Sequence, residues 1–312
     1  MPDQKKIIAI GGVTCSGKTE TSLELSKHFP VEIVNFDSIC FYRYFDIGTA
    51  KPDMAARAVA AHNLVDIKNP DEEYNAGMFS EDAGRLIRDI TNRGNIPLFT
   101  GGTGLYMKSL IYGLSSIPEI DKTFYRKKIL ELIEELGLNA VYEKLKEIDP
   151  DYAAVISAAD KQRIARAYEV YEATGRPLSH YLKENPFGEP LYDCLYFTLI
   201  PPKDYLKSCI MERTKKILAK GLIGEINEIL NMGYSRHLKP FRSIGYKEGL
   251  MYLNKEIKTE DDLYSAIVSS TMKYAKRQAT FFKKVKNATE VNLTDLNKRV
   301  AFMSKLIGDF IG

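Results

Sequence analysis

Long apolar runs are missing. Nowhere does the chain sustain the about 20 apolar residues that a membrane-spanning helix requires, although 45% of it is hydrophobic. Cysteine is scarce as well. Cys15, Cys40, Cys194 and Cys209 form no C-x-x-C pair and have no histidine at finger spacing, which excludes a zinc ribbon and a disulfide framework and leaves reduced thiols. Neither sign of charge dominates: 44 Lys and Arg stand against 41 Asp and Glu, a net charge of +3, too small on its own to establish a nucleic-acid partner. No internal repeat and no low-complexity linker interrupts the chain. The short polar start MPDQKK lacks the apolar stretch of a signal or transit peptide, so a cytoplasmic protein is expected. With 312 residues the chain can build a large core and a second lobe.

What is present begins with Ile7-Ile8-Ala9-Ile10, a buried-strand run, followed by GVTCSGKT from Gly12 to Thr19. The spacing Gly12-x-x-x-x-Gly17-Lys18-Thr19, between a strand and a helical pattern over Thr19 to His28, fits the P-loop in full. Such a loop turns the backbone N–H groups of Gly12, Val13, Thr14, Cys15, Ser16 and Gly17 toward phosphate oxygens. Lys18 adds a mobile cation, and the Thr19 hydroxyl is a candidate Mg²⁺ ligand. The loop predicts a polyphosphate without saying which reaction follows. Cys15 within it is either an oxidisable thiol, its pKa lowered by Lys18 and the helix N-terminus, or a small residue that fits the turn.

A second buried strand, VEIVNFD, ends on Asp37. A carboxylate there is an indirect Mg²⁺ ligand, a general base poised over the substrate, or a helix cap. Helix from Ser80 to Asn92, strand NIPLFT, turn GGTG at Gly101 to Gly104 and a further helix repeat the strand, Gly-rich turn, helix unit. In a parallel sheet these turns share one end, so Lys18, Asp37 and Thr103 are expected to converge. Strand signals vanish between about Pro118 and Pro190, where charged helical segments take over, then resume with LYFTLIPP at Leu195 and end with EVNL at Glu290. The fold class expected is α/β: a P-loop NTPase-like core with a parallel sheet over 1–117 and 191–312, plus a helical insertion domain over 118–190.

Gln162, Arg163 and Arg166 fall on one helical segment with the two arginines a turn apart; by pattern alone they read as a solvated face or as an RNA contact. Lys273 to Lys286, KYAKRQATFFKKVK, holds six Lys or Arg and no acid, with Tyr274, Phe281 and Phe282 interleaved. Phosphate contacts are expected of its cations and core packing of its rings.

Taken in order, GVTCSGKT, DSIC at Asp37, DIGTAKP at Asp46, HNLVDI at His62, YNAGMFSEDA at Tyr74, GGTGLY at Gly101, QRIARAYEVYEATG at Gln162, SIGYKE at Ser243 and YAKRQATFF at Tyr274 resemble the tRNA dimethylallyltransferases, bacterial type. The resemblance implies that the loop holds dimethylallyl diphosphate with Mg²⁺, and that the prenyl group passes to N6 of the adenosine next to the anticodon on its 3′ side. It implies Asp37 as the catalytic base, with Thr19, Thr103 and Arg213 acting on the leaving diphosphate. It implies tRNA contacts at Asp37, Ser38, Ile39, Cys40, Thr103, Arg126, Gln162, Arg163, Ile164, Ala165 and Arg166. A monomer with the tRNA anticodon stem-loop as partner and no membrane is expected. Two residues depart from the family pattern. Cys40 stands where glutamine is usual, so Cys40→Gln is expected to keep or improve affinity for the target adenosine; Val13 replaces a small or cyclic residue, harmlessly if only backbone faces phosphate. Competing readings are an ATP-dependent nucleotide or small-molecule kinase and an RNA-binding NTP switch.

Overall fold

A computed structural model of the chain describes residues 5–114, 117–184 and 189–312. Residues 1–4, the first part of MPDQKK, lie outside them. Two compact units result, Met1–Ile111 with Pro190–Gly312, and Tyr112–Glu189.

The first unit is built on six parallel strands: β1 (Lys6–Gly12), β2 (Val31–Asn35), β3 (His62–Asn63), β4 (Ile96–Gly101), β5 (Asp193–Leu199) and β6 (Thr289–Val291), in the order β3-β2-β4-β1-β5-β6. A parallel sheet covered by helices on both faces buries its strands completely, which is why β1 reads as an unbroken apolar run. Ile7, Ile8 and Ile10 are wholly buried, each such side chain contributing about 2 kcal/mol. On one face Ile8, Ile10, Leu98, Phe197 and Leu199 pack with Val300, Met303 and Ile307 of the last helix, Leu296–Ile311. The register pairs Gly11 with Gly101 and Gly12 with Leu199, so the carboxyl ends of β1, β4 and β5 finish level.

Those ends are shaped by glycine where a side chain cannot go. Gly12 has φ +146° and a Cβ there would lie 2.4 Å from the Leu199 carbonyl oxygen. At Gly101 a Cβ would come within 2.6 Å of the Phe36 backbone. The helix Lys18–Ser26 follows the first turn and Gly104–Tyr112 the second. Expected boundaries move at helix starts: the segment read from Ser80 begins at Ala76, where the Asn75 side chain accepts from Gly77 and Met78 N–H, the capping role this residue type fills well.

The second unit is helical. Lys122–Leu136, Leu138–Ile148 and Lys161–Thr174 close over Ile129, Val141, Leu145, Ile164, Ala165 and Tyr168. Asp121 and Asp160 cap two of these helices through their side chains, and Lys161–Thr174 stops at Gly175 with φ +69°, a conformation that suits glycine.

Candidate active site

Three loops meet at the carboxyl ends of β1, β2 and β4. In the first, Lys18 Nζ donates to the carbonyls of Gly12 at 3.2 Å and Val13 at 2.6 Å. Burial is the main reason its ammonium titrates at about 8 instead of 10.5; the nearby Asp37 and Cys15 oppose that shift and Arg213 adds to it. Val13 is wholly buried against Leu206, Ile210 and Ala275, so it offers the loop only its backbone. Ser16 Oγ is buried and has no hydrogen-bond partner among the described residues, an unsatisfied polar atom inside the glycine-rich loop. Thr19 is exposed at the first turn of the helix Lys18–Ser26.

The second loop carries Asp37, which is half-buried. Its backbone N–H donates to Asn35 Oδ1 at 2.9 Å, and its own Oδ1 accepts from the Ile39 N–H at 3.2 Å, fixing the carboxylate by a local turn of the kind aspartate favours. Ser38 N–H donates to Thr103 Oγ1 at 3.0 Å. Thr103 therefore ties the third loop to the acid's turn while keeping its own hydroxyl hydrogen to donate.

Arg213, from the helix Lys203–Ala219, binds across the first loop: NH1 to Thr14 Oγ1 at 3.1 Å, with Cys15 Sγ at 3.8 Å, and NH2 to the Thr49 carbonyl at 2.8 Å. That carbonyl lies in the DIGTAKP segment, which is held by two buried charges. Glu225 accepts from the Asp46 and Ile47 N–H groups at 3.0 and 2.8 Å and from Tyr246 Oη at 2.6 Å. Lys51 Nζ reaches the Tyr42 carbonyl at 2.7 Å, Asp46 at 2.5 Å and Asp66 at 2.6 Å. Buried charges survive when every lone pair and proton finds a partner, and here the result is a rigid strut behind the Arg213 contact.

A cavity of about 360 Å³ opens over these groups. Thr14, Cys15, Asp37, Ser38 and Arg213 are among its polar lining, and Ile39, Ile210, Ile217, Ile244 and Ile267 add apolar surface. The structure thus unites Asp37, Ser38, Ile39, Arg213 and the loop, with Thr103 one hydrogen bond away. Cys40 departs from expectation. It is buried, does not line the cavity, and its thiol is pushed up to about 12, chiefly by burial and then by the Asp37 charge, with Lys51 and Arg213 opposing. A neutral thiol turned inward reads no base edge, and a glutamine there would have to bury an amide.

Sequence reasoning missed Gln278. Its Oε1 accepts from the Thr14 N–H at 2.8 Å and its Nε2 donates to the Gly102 carbonyl at 3.0 Å, so one buried amide bridges the phosphate loop and the second glycine turn. Tyr274, one turn earlier on the helix Glu260–Phe282, corrects the core-packing expectation. It lines the cavity, its phenol raised above the usual range by burial and by Asp37. Phe282 does pack in the core, and Phe281 lies against Gly104. The signal available was the i, i+4 spacing of Tyr274 and Gln278.

The remaining predicted residues belong to the helical unit. Gln162 and Arg163 are exposed and Arg166 and Arg126 partly so, but Ile164 and Ala165 are wholly buried in that unit's core. With 3.6 residues per turn, the helix that leaves Gln162 and Arg163 outside turns the next two residues to the core side, so these two side chains are unavailable to RNA, a correction to the contact expected of them.

Comparison with known proteins follows the same outline. The sequence model for IPP transferase matches residues 40–285. The chain is 41% identical over 279 residues to tRNA dimethylallyltransferase 2 of Geotalea daltonii, covering 89% of this chain and 85% of that protein. The chain belongs to the IPP transferase family. A second member, the tRNA dimethylallyltransferase of Geobacter sulfurreducens, is 40% identical over 89% of both chains. Among solved structures of the family, the full-length tRNA isopentenylpyrophosphate transferase of Bacillus halodurans is similar with a TM-score of 0.71 at 32% identity, over 98% of this chain and 96% of that one. A eukaryotic dimethylallyltransferase acting on tRNA shares the fold with a TM-score of 0.78 at 24% identity, over 98% of this chain and 80% of that one.

Proposed function

We propose that the chain transfers the dimethylallyl group of dimethylallyl diphosphate to N6 of the adenosine that follows the anticodon in tRNA, releasing diphosphate. One observation carries the reading beyond family membership. A phosphate loop and a half-buried carboxylate share a cavity whose lining includes five isoleucines, Ile39, Ile210, Ile217, Ile244 and Ile267, and a five-carbon prenyl group needs such apolar surface whereas a phosphoryl group does not.

The N6 lone pair is delocalised into the purine and is a weak nucleophile. As it forms the C–N bond to the allylic carbon, its proton goes to Asp37, whose Oδ1 is held by the Ile39 N–H. The allylic C–O bond breaks, and its electron pair leaves with the diphosphate. Lys18, Arg213, Thr14 and the loop N–H groups stabilise the charge that develops there. Thr103 orients the Asp37–Ser38 turn. The exposed Thr19 hydroxyl at the helix start and the unpartnered Ser16 hydroxyl suit a loop that shares Mg²⁺ with diphosphate oxygens. When bound, that ion neutralises part of the leaving group's charge.

N6 sits inside a stacked loop, so the base must leave its stack to react. We assign the helical unit's Gln162, Arg163, Arg166 and Arg126 to phosphate and base contacts with the anticodon arm. Among the described residues no helix is long and apolar enough to cross a membrane; we propose a cytoplasmic enzyme that acts as a monomer. Incubation with undermodified tRNA, Mg²⁺ and dimethylallyl diphosphate, followed by nucleoside mass spectrometry, is expected to show a prenylated adenosine that Asp37→Ala abolishes. Transfer of a γ-phosphate from ATP without prenylation would overturn the reading in favour of a kinase.

A further inference from the structure

Three arginines of the helical unit, Arg126, Arg163 and Arg166, stand over carboxylates. On the helix Lys161–Thr174, Arg163 NH1 pairs with Asp160 at 2.9 Å. One turn on, Arg166 NH1 pairs with Glu169 Oε2 at 3.3 Å, and Arg126 Nε, from the helix Lys122–Leu136, meets the other oxygen, Oε1. The exposures order the three groups: the Glu169 side chain is 2% accessible, Arg166 28% and Arg126 40%. An acid therefore lies underneath, and two guanidinia straddle it with their outer edges in solvent. Its neighbours in sequence, Tyr168 and Val170, belong to the unit's apolar core. Packing alone asks for no carboxylate at this position, and burying one is costly without partners.

We propose that Glu169 is a positioning residue for RNA binding. It does not touch tRNA; it holds Arg126 and Arg166 as a preformed pair of planar forks for backbone phosphates. The inference rests on the reading above that these arginines contact tRNA. A guanidinium binds phosphate through two parallel N–H groups. The hydrogen bond from Arg166 NH1 to Glu169 Oε2 at 3.3 Å fixes one plane, and the ion pair of Arg126 Nε with Oε1, which forms no aligned hydrogen bond, holds the second guanidinium beside it, so less rotamer freedom is lost when RNA arrives. The trio keeps a net positive charge.

A simple counter-charge makes the opposite prediction. Were Glu169 only diluting the positive face, its removal would strengthen RNA binding. The full chain carrying Glu169→Gln, assayed at steady state with undermodified tRNA and dimethylallyl diphosphate, is expected to show KM for tRNA raised about tenfold, the size of one well-formed charge-assisted contact. Expected with it are an unchanged kcat, an unchanged KM for the donor, and an unchanged salt slope because both cations remain. A KM for tRNA that stays the same or falls overturns the proposal. Arg126→Ala and Arg166→Ala separate the two levels: if neither raises KM for tRNA, the assignment of the RNA face fails and the inference goes with it. If they raise KM and Glu169→Gln does not, only the positioning role fails. Should Glu169→Gln not fold, the double variant Arg126→Lys, Arg166→Lys keeps both charges and drops the forks. The same rise in KM is then expected, and an unaltered KM overturns the proposal.

Discussion

In the core unit Lys18 is partly exposed, yet desolvation brings its ammonium to about 8, and it donates to the Gly12 and Val13 carbonyls. In the helical unit Arg163 and Arg126 remain 63% and 40% exposed above their acids. The two regions use positive charge under different dielectric conditions. A cation shielded from water acts strongly on a charge that develops beside it, and salt barely screens it. Exposed cations act weakly one by one, together guide a polyanion, and lose their effect as salt rises. On the proposed function, the leaving group and the macromolecule are handled by separate electrostatic regimes, which variants can test one region at a time.

The largest effect is expected at the acid. Asp37→Asn keeps the turn geometry and removes the base, so kcat for prenyl transfer should fall by a factor of about 10²–10⁴, with KM for both substrates nearly unchanged; a loss under fivefold would remove Asp37 from proton transfer. Next is Lys18→Met, which keeps the packing and should lower kcat by about 10²–10³ at low and at high salt alike. The same group sets a pH dependence. Between about 8 and 10.5 the unfolded chain holds a proton on Lys18 that the folded chain has lost, so this residue makes stability rise with pH across that window. Diphosphate binding needs the ammonium and should weaken as pH climbs past about 8, a trend that calorimetric titration with inorganic pyrophosphate would record and that Lys18→Met should abolish.

A smaller change is expected behind the site. Glu225→Gln turns an amide NH₂ toward backbone donors and should cost about 2 kcal/mol of stability by urea unfolding. A several-fold rise in KM for the donor should accompany it, because the Thr49 carbonyl no longer stays in place for Arg213; unchanged donor KM would detach the strut from the site. The smallest effect belongs to the other region. Arg163→Ala should raise KM for tRNA only a few-fold and reduce the salt slope by about one phosphate's share, leaving kcat alone; an unchanged slope would place Arg163 away from RNA.

The strands and both glycine turns were legible because each is a local pattern: Ile7 to Ile10 with the fixed spacing to Lys18, and the apolar run before Gly101. The convergence of Asp37 with the loop followed from parallel topology, which brings strand ends to one side. The bridging contacts of Gln278 and Glu225 were not legible, although the spacing of Gln278 to Tyr274 marked a shared helix face. Their partners lie far off in sequence, Thr14 for one and Asp46 and Ile47 for the other, and no periodicity encodes a contact across such a span. Ile164 and Ala165 failed for a different reason. A motif transferred as a block ignores that the helix sends Gln162 and Arg163 outward and the next two residues into the core. Cys40 failed likewise, since its place in a motif carries no information about which way its side chain turns.

Gln278 acts as a spacer of fixed length. Its two amide atoms fasten Thr14 on one side and Gly102 on the other, so the gap between the first loop and the second glycine turn, on which Thr103 meets the acid's loop, is set by one side chain, not by the play of two flexible turns. Shortening that side chain by a methylene would leave one end unfastened, and the reach from nucleophile to allylic carbon would then vary from molecule to molecule.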